Sequence, residues 1–389
     1  MSKVAMRKDL SKKNIKVLHS ACLLSPSMGI LKQMEEEEIA AKNLKIDWMV
    51  KFFVPKGQEL KSSVILEANY VNSKYLKSFL YKLFSWFMIR IEYYLWLLKQ
   101  KDVDVILIRY SVHDVFQLLF LLISKKPIFL VHHTLEEPEL EMNKSFIWKI
   151  RYFSEKIIGR LCIRASSGII GVTNEIIEYE KSRVDFLEKK SYLFPNGINV
   201  NHLIIDFLYP ASKEKKILFI ASEFSEWHGL DLLFEDMKTN TQQFELHLIG
   251  QLLPKDYTYA ISDSRVKLHG IKDKKFIEQV SSECHIALGS FALERKNMKE
   301  ACTLKVREYL SFGLPVYSGH VDVFPSEFKF YKVGLPSIAE ILKYAEQFEN
   351  ITKLEVLNES EKYIDKAYLV GNLYNDLERY LVSRSGVMF

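Results

Sequence analysis

The chain has only four cysteines in 389 residues, and Cys22, Cys162, Cys284 and Cys302 show no CxxC spacing. That excludes a disulfide framework and a zinc site, and reads as reduced thiols in the cytosol. The opening Met-Ser-Lys-Val-Ala-Met-Arg-Lys has no apolar core, so no signal peptide is expected. No apolar run reaches the roughly 18 residues of a spanning helix. Charge of one sign is also scarce: 54 Lys and Arg against 49 Asp and Glu leave +5. This is too small an excess to argue for a nucleic-acid partner. It suits a loose attraction to an anionic membrane or to phosphorylated substrates. Internal repeats and low-complexity tracts are lacking as well.

What is present is ordinary folded-protein material, 48% hydrophobic and 26% charged, in a chain long enough for two cores. Strand-length apolar runs alternate with amphipathic helix-length stretches, which predicts parallel sheets with crossover helices. In the first half the expected strands are Ile15–Ala21, Val103–Arg109, Ile128–His133, Gly168–Thr173 and Tyr192–Phe194. The loop Ser25-Pro-Ser-Met-Gly29 leads into a helix through Gln33 to Lys42, and a long helix is expected near 144–164. Pro195-Asn-Gly197 is a turn signal, and 199–215 reads as a linker. The pattern then restarts with strands at Lys216–Ala221, Phe244–Gly250, Val266–Gly270, His285–Ser290 and Pro315–Ser318. Helices are expected at Gly229–Met237, Lys275–Glu283 and Leu304–Phe312, with helical tails near 337–350 and 359–383. Two such series imply two doubly wound domains facing each other, with ligands in the cleft at the strand C-termini.

The segment Glu300-Ala-Cys-Thr-Leu-Lys-Val-Arg-Glu308-Tyr-Leu-Ser-Phe-Gly313-Leu-Pro315 carries the chemistry. Thr303 suits an N-cap and Gly313 the position after the helix end, with Pro315 beyond. The first amides, at Leu304 and Lys305, would face an anion, and Lys305 adds a full charge there. Glu308, one turn in, can accept both hydroxyls of a ribose. Glu300 lies in the loop before the helix, on the strand side. The plainer alternative is a surface helix with two solvated glutamates.

Glu-x7-Glu before Gly-x-Pro resembles the motif of retaining GT-B glycosyltransferases, especially glycosyltransferase family 4. The wider stretch from Gly289 to Leu310 resembles the branch that builds bacterial surface polysaccharides. Trp227-His-Gly-Leu-Asp231, His247-Leu-Ile-Gly250, Val172-Thr-Asn-Glu-Ile176 and Pro195-Asn-Gly-Ile198 agree in order. The resemblance implies an α/β GT-B fold of two Rossmann-like domains. The acceptor-side domain would span 1–205 and the nucleotide-sugar domain 206–360, with a last helix, 361–389, crossing back to the first. It also implies a nucleotide-sugar donor, expected to be UDP-linked, with retention and no cofactor or metal. By resemblance Glu308 would hold the ribose, Glu300 the donor sugar, and Thr303, Leu304 and Lys305 the diphosphate. One departure stands out. The loop Ala221-Ser-Glu-Phe-Ser-Glu-Trp-His-Gly229 has Glu223 and His228 where the family has Arg and Lys. Either His228 serves there, or Arg295, Lys296, Lys299 or Lys305 substitutes.

Among the remaining candidates, His132 and His133 end a strand at the cleft, and His133 is favoured as the catalytic-side histidine. Gly29 stands where the family has a glycine-rich loop; a plain turn is the alternative. Glu175 suits helix initiation, and Glu35–Glu38 a solvated helix face. The aromatic stretch 75–99 is either a membrane-docking face, for a lipid-linked acceptor at the inner face of the membrane, or a buried helix pair. The expected partners are therefore a nucleotide sugar and a glycan or lipid-linked acceptor. Two other functions remain open: a donor-defective scaffold partnering another transferase, and a nucleotide-sugar epimerase on the same fold.

Overall fold

A computed structural model describes residues 14–25, 27–142, 145–185, 188–200 and 214–385. The opening eight residues, Pro26, most of the expected linker and the domain boundary at 205 lie outside the described residues. The fold is two parallel sheets. The first has seven strands, in the order β3-β2-β1-β4-β5-β6-β7, and the second six, in the order β10-β9-β8-β11-β12-β13.

In the first sheet β1 (Val17–Cys22) is buried at every position. It runs parallel to β2 (Trp48–Lys56) on one side and β4 (Val105–Arg109) on the other. Next come β5 (Ile128–His132), β6 (Gly168–Gly171) and β7 (Lys190–Leu193). β2 and the outer β3 (Ile65–Asn72) are absent from the expectation above. Lys51, Pro55 and Lys56 interrupt β2, and Pro55 falls where the β2–β3 register shifts, a place a strand tolerates proline.

α1 (Met28–Leu44) begins five residues before the helix read from the sequence. It covers one face of the sheet together with the C-terminal α13 (Lys366–Ser385), whose Leu369, Val370, Leu373, Tyr374 and Leu377 enter that core. α2 (Phe79–Leu98), α3 (Val115–Ile123) and α5 (Phe146–Ala165) cover the other face. The short α4 (Glu136–Glu141) follows β5, and α6 (Asn174–Ser182) follows β6. The aromatic stretch is thus one helix, α2, and not a buried pair. One side of it packs on the sheet through Ile89, Tyr93, Tyr94 and Leu97.

The second sheet runs through β8 (Lys215–Glu223), β9 (Phe244–Gln251), β10 (Val266–Gly270), β11 (Ile286–Leu288), β12 (Val316–Ser318) and β13 (Tyr331–Val333). α7 (Leu230–Thr239), α8 (Pro254–Ala260), α9 (Lys274–Glu283), α10 (Leu304–Ser311), α11 (Ile338–Glu346) and α12 (Lys353–Ile364) surround it. A crevice forms where the strand order reverses, because the flanking connections leave on opposite faces. In the first sheet that point lies between the ends of β1 and β4, at Cys22 and Arg109. In the second it lies between β8 and β11, at Glu223 and Leu288.

Candidate functional site

The second switch point is built around the start of α10. Thr303 has the extended backbone of an N-cap, yet its side chain caps no amide, and its buried Oγ1 has no hydrogen-bond partner. The first amides of α10, including Leu304 and Lys305, are therefore left without a side-chain cap. Gly313 ends the helix region at φ +70, where an added Cβ would lie 2.4 Å from the Lys353 carbonyl oxygen. Only glycine fits that turn.

Lys305 projects from the first turn into a wall of aromatic rings. Its Nζ lies 5.1 Å from the Phe219 ring centroid and 5.3 Å from that of Trp227. The nearest polar partner is Ser290 Oγ at 3.4 Å, and no carboxylate pairs with it among the described residues. Desolvation pushes its pKa down to about 7. A cation held this way is stabilised by any anion that enters.

In the anomalous loop 221–229 the two sequence alternatives, His228 or a cation from elsewhere, differ in their surroundings. His228 is buried and stacks on Trp227 at 3.9 Å, and its Nδ1 accepts the Ser225 amide at 2.8 Å. Burial, and then Lys305, push its pKa down to about 3. It is a neutral ring and cannot replace a lysine charge. Arg295 has both Nη atoms 2.9 Å from the Asp231 carboxylate, so in this arrangement its charge is paired with the first turn of α7. Lys296 lies over the Trp227 ring at 4.8 Å. Lys305 is the candidate cation that packs on Phe219 of β8.

A residue that the sequence did not single out completes this side. His320 Nδ1 donates to the Ser290 carbonyl at 3.0 Å, which leaves a buried Nε2 lone pair without a partner. A lone histidine after a short strand carries no sequence signal.

Across the cleft, His132 and His133 part company. His132 is fully buried, 3.1 Å from Glu136 and 3.7 Å from Glu180. Burial pushes the carboxyls of Glu136 and Glu180 up to about 7 and about 8, while Arg183 donates to Glu180 at 2.7 Å. His132, Glu136 and Glu180 lie close enough for a metal, but Arg183 already places a positive charge on the group. His133 instead lines the recess with His19, Arg109, Gln33, Asn196 and Lys366. Its Nε2 has no partner, and burial lowers its pKa well below the usual histidine range. Gly29 is an ordinary helical residue in the first turn of α1; an added Cβ would meet only Ser27 Oγ, at 3.7 Å. No glycine-rich loop stands there.

The two halves are joined by polar contacts. Glu308 Oε1 lies 3.5 Å from Lys32 Nζ of α1. Arg307, fully buried, binds Asp322 and donates from Nε to the Asn196 carbonyl at 3.1 Å. Glu300 accepts the Glu175 amide at 2.8 Å, so in this arrangement its carboxylate faces α6. Glu175 does not merely start that helix. Its own carboxylate accepts the Lys299 and Glu300 amides.

Known proteins match this architecture. Residues 47–202 match the sequence model of Glycosyltransferase Family 4. The chain is similar to the lipopolysaccharide outer core galactosyltransferase WaaB in its apo form. They share 14% identity at TM-score 0.60, over 93% of this chain and 99% of that one. It is similar to Anabaena HepE in complex with UDP and glucose, at 14% identity and TM-score 0.56, over 94% and 100%. It is also similar to the catalytic domain of Arabidopsis thaliana starch synthase IV bound to ADP and acarbose. There the identity is 13% and the TM-score 0.60, over 95% and 100%. No curated protein matches the chain by sequence. At these identities the shared feature is the fold, two Rossmann-like domains facing across a cleft, and the resemblance to family 4 holds.

Proposed function

We propose that this chain, a GT-B protein of the family-4 type, is a retaining, metal-independent glycosyltransferase. It moves a hexosyl or N-acetylhexosaminyl group from a nucleotide sugar, UDP-linked, to a growing surface glycan or lipid-linked acceptor. Lys305 carries the reading. It is a partly buried ammonium without a counter-ion among the described residues, at the uncapped start of α10, beside the switch point of the second sheet. Negative charge grows on the leaving diphosphate during glycosyl transfer. Amides and a cation fixed beforehand at that place lower the barrier without reorganising.

Glu308, one turn further on, is positioned for the ribose. His133 and Glu300 border the cleft on the reacting side, and Glu300 reaches the sugar only by releasing the Glu175 amide. The scaffold alternative rested on Glu223 and His228. A lysine supplied from the helix side supports the enzyme instead.

The membrane-facing part of the reading draws on α2. Phe79, Leu80, Leu83, Phe84, Phe87, Ile91 and Leu95 form an exposed stripe, and Lys77 and Lys82 are exposed beside it. A basic and apolar face of this kind suits a peripheral protein at the inner, anionic leaflet. No helix among the described residues is long and apolar enough to cross a membrane.

Calorimetry with UDP and 2′-deoxy-UDP tests the donor site. The native chain is expected to prefer UDP, and Glu308→Gln to lose about tenfold or more in UDP affinity together with that preference. Unchanged affinity and preference in the variant would remove Glu308 from the donor site.

A further inference from the structure

A second cavity, of about 240 Å³, opens on the acceptor side of the first domain. Trp86 and Arg90 of α2, the loop Tyr110–His113 after β4, His133 and Thr134 after β5, and Arg151 of α5 line it. Arg90 is neutralised by Asp114 at 2.9 Å. Arg109 makes no hydrogen bond or ion pair among the described residues, although desolvation lowers its pKa to about 10. Arg151 forms no ion pair among the described residues, although the Glu139 charge acts on it, and its Nε donates to His113 Nε2 at 2.9 Å. His113 thereby acts as a neutral acceptor, and burial and Arg151 hold its pKa down at about 4.

The loop is set with some strain. His113 has φ +47, a left-handed backbone that side chains disfavour, and its amide is held by the buried Glu155. Of the lining residues only Glu136 is acidic; its carboxyl is raised by burial and already faces His132. Two guanidiniums therefore line one cavity with no ion pair among the described residues, Glu136 acting on Arg109 and Glu139 on Arg151 only from a distance, an arrangement that favours an entering anion.

The cavity lies where α2, α3 and α5 meet the ends of β4 and β5, and these helices turn apolar side chains outward. On α5 the exposed Phe146, Ile150, Phe153, Ile157 and Leu161 follow helical spacing.

We propose that Arg109 and Arg151 form a subsite for a phosphate ester on the acceptor, with an apolar chain leaving across α2 and α5. The proposal rests on the glycosyltransferase reading and names the acceptor class for it. Arginine forks match phosphate oxygens in pairs. Arg109 and His133 line both this cavity and the recess facing the second domain. The bound phosphate would thus sit beside the cleft and not in the diphosphate position at Lys305.

The test is calorimetry on the full chain with decyl phosphate, glycerol phosphate and decanol, repeated with UDP. Decyl phosphate is expected to bind at least tenfold tighter than decanol. Arg109→Gln and Arg151→Gln are each expected to weaken decyl phosphate by about tenfold, and Arg151→Gln, which does not line the recess, to leave UDP affinity within twofold. Glycerol phosphate binding as tightly as decyl phosphate would confirm the anion subsite and overturn the apolar-chain part, pointing to a sugar phosphate. Decyl phosphate and decanol binding alike, or unchanged decyl phosphate affinity in both arginine variants, would overturn the subsite. Retained phosphate binding without UDP binding would sink the donor reading and leave the subsite standing. Thermal melts of both variants separate loss of binding from loss of fold.

Discussion

Glu175 and Glu300, one from each domain, clasp each other reciprocally. Glu175 accepts the amides of Lys299 and Glu300 through Oε2 at 2.9 and 2.8 Å, and Glu300 Oε2 accepts the Glu175 amide at 2.8 Å. Each carboxylate satisfies backbone donors at the other's chain start. The α6 amides thus gain a negative charge at the positive end of the helix.

Removing one side of that clasp is expected to loosen the contact between the domains without touching the Lys305 and Glu308 part of the donor pocket. Glu175→Ala should lower kcat about 5- to 30-fold, matching roughly 1–2 kcal/mol of lost charge-assisted hydrogen bonding. UDP affinity should stay the same. Small-angle scattering should show a larger radius of gyration in the variant. A variant as compact and as active as the native chain would leave the clasp without a role in closure.

Lys305 gives a pH dependence with a definite sign. Its ammonium is charged below about 7 in the free chain, and a bound diphosphate raises that value again. UDP affinity should therefore be highest below about pH 7 and weaken as pH rises above it, with proton uptake on binding. Calorimetry at pH 8 in two buffers of different ionisation heat measures that uptake. Lys305→Met should abolish it and cost about tenfold in affinity. The same uptake in the variant would place the titrating group elsewhere.

The buried acids of the first domain make a stability prediction. Glu136 and Glu180 have folded values of about 7 and about 8, above the ordinary 4.5. The folded chain thus holds protons that the unfolded chain has released. That contribution is fully present below the ordinary value and is lost as pH rises through about 7 to 8. The melting temperature should fall by a few degrees between pH 6 and pH 9 relative to Glu136→Gln, in which the group cannot ionise. Parallel profiles for the two proteins would refute the assignment.

Vesicle co-sedimentation checks the membrane face. Vesicles containing phosphatidylglycerol should retain the native chain, and Phe84→Asp combined with Phe153→Asp should release most of it. Both residues are more than half exposed, so the fold should survive, and circular dichroism can verify this. No retention on either anionic or zwitterionic vesicles would remove the docking role of α2 and α5.

Much of the second domain was legible in the chain, because its signals are local. Thr303, Gly313 and Pro315 delimit α10 within about ten residues, the apolar runs of β8 and β11 have no polar interruptions, and in β9 Glu245 and His247 alternate with Phe244, Leu246 and Leu248. β2 and β3 were not legible, since lysines and a proline break one and the other alternates at a sheet edge. The site was readable only in part. That Glu308 and Lys305 stand at a helix start follows from spacing. That Lys305 lacks a counter-ion, that Glu300 meets Glu175, and that His228 is neutral depend on residues far apart in sequence. The unpaired Arg109 is likewise invisible without the fold, since an arginine ending a strand is commonplace until its surroundings are known.

The last helix sets the order in which this molecule is made. α13 supplies Leu369, Val370, Leu373 and Leu377 to the core beneath α1, and the Tyr374 hydroxyl donates to the Ile15 carbonyl at 2.9 Å, a span of 359 residues. A nascent first domain therefore leaves the ribosome with one flank of its sheet uncovered and must wait until α13 has been made to close it. Until then α1 presents an apolar flank that a chaperone can hold. Removing α13 would then harm the domain made first more than the one just before the cut.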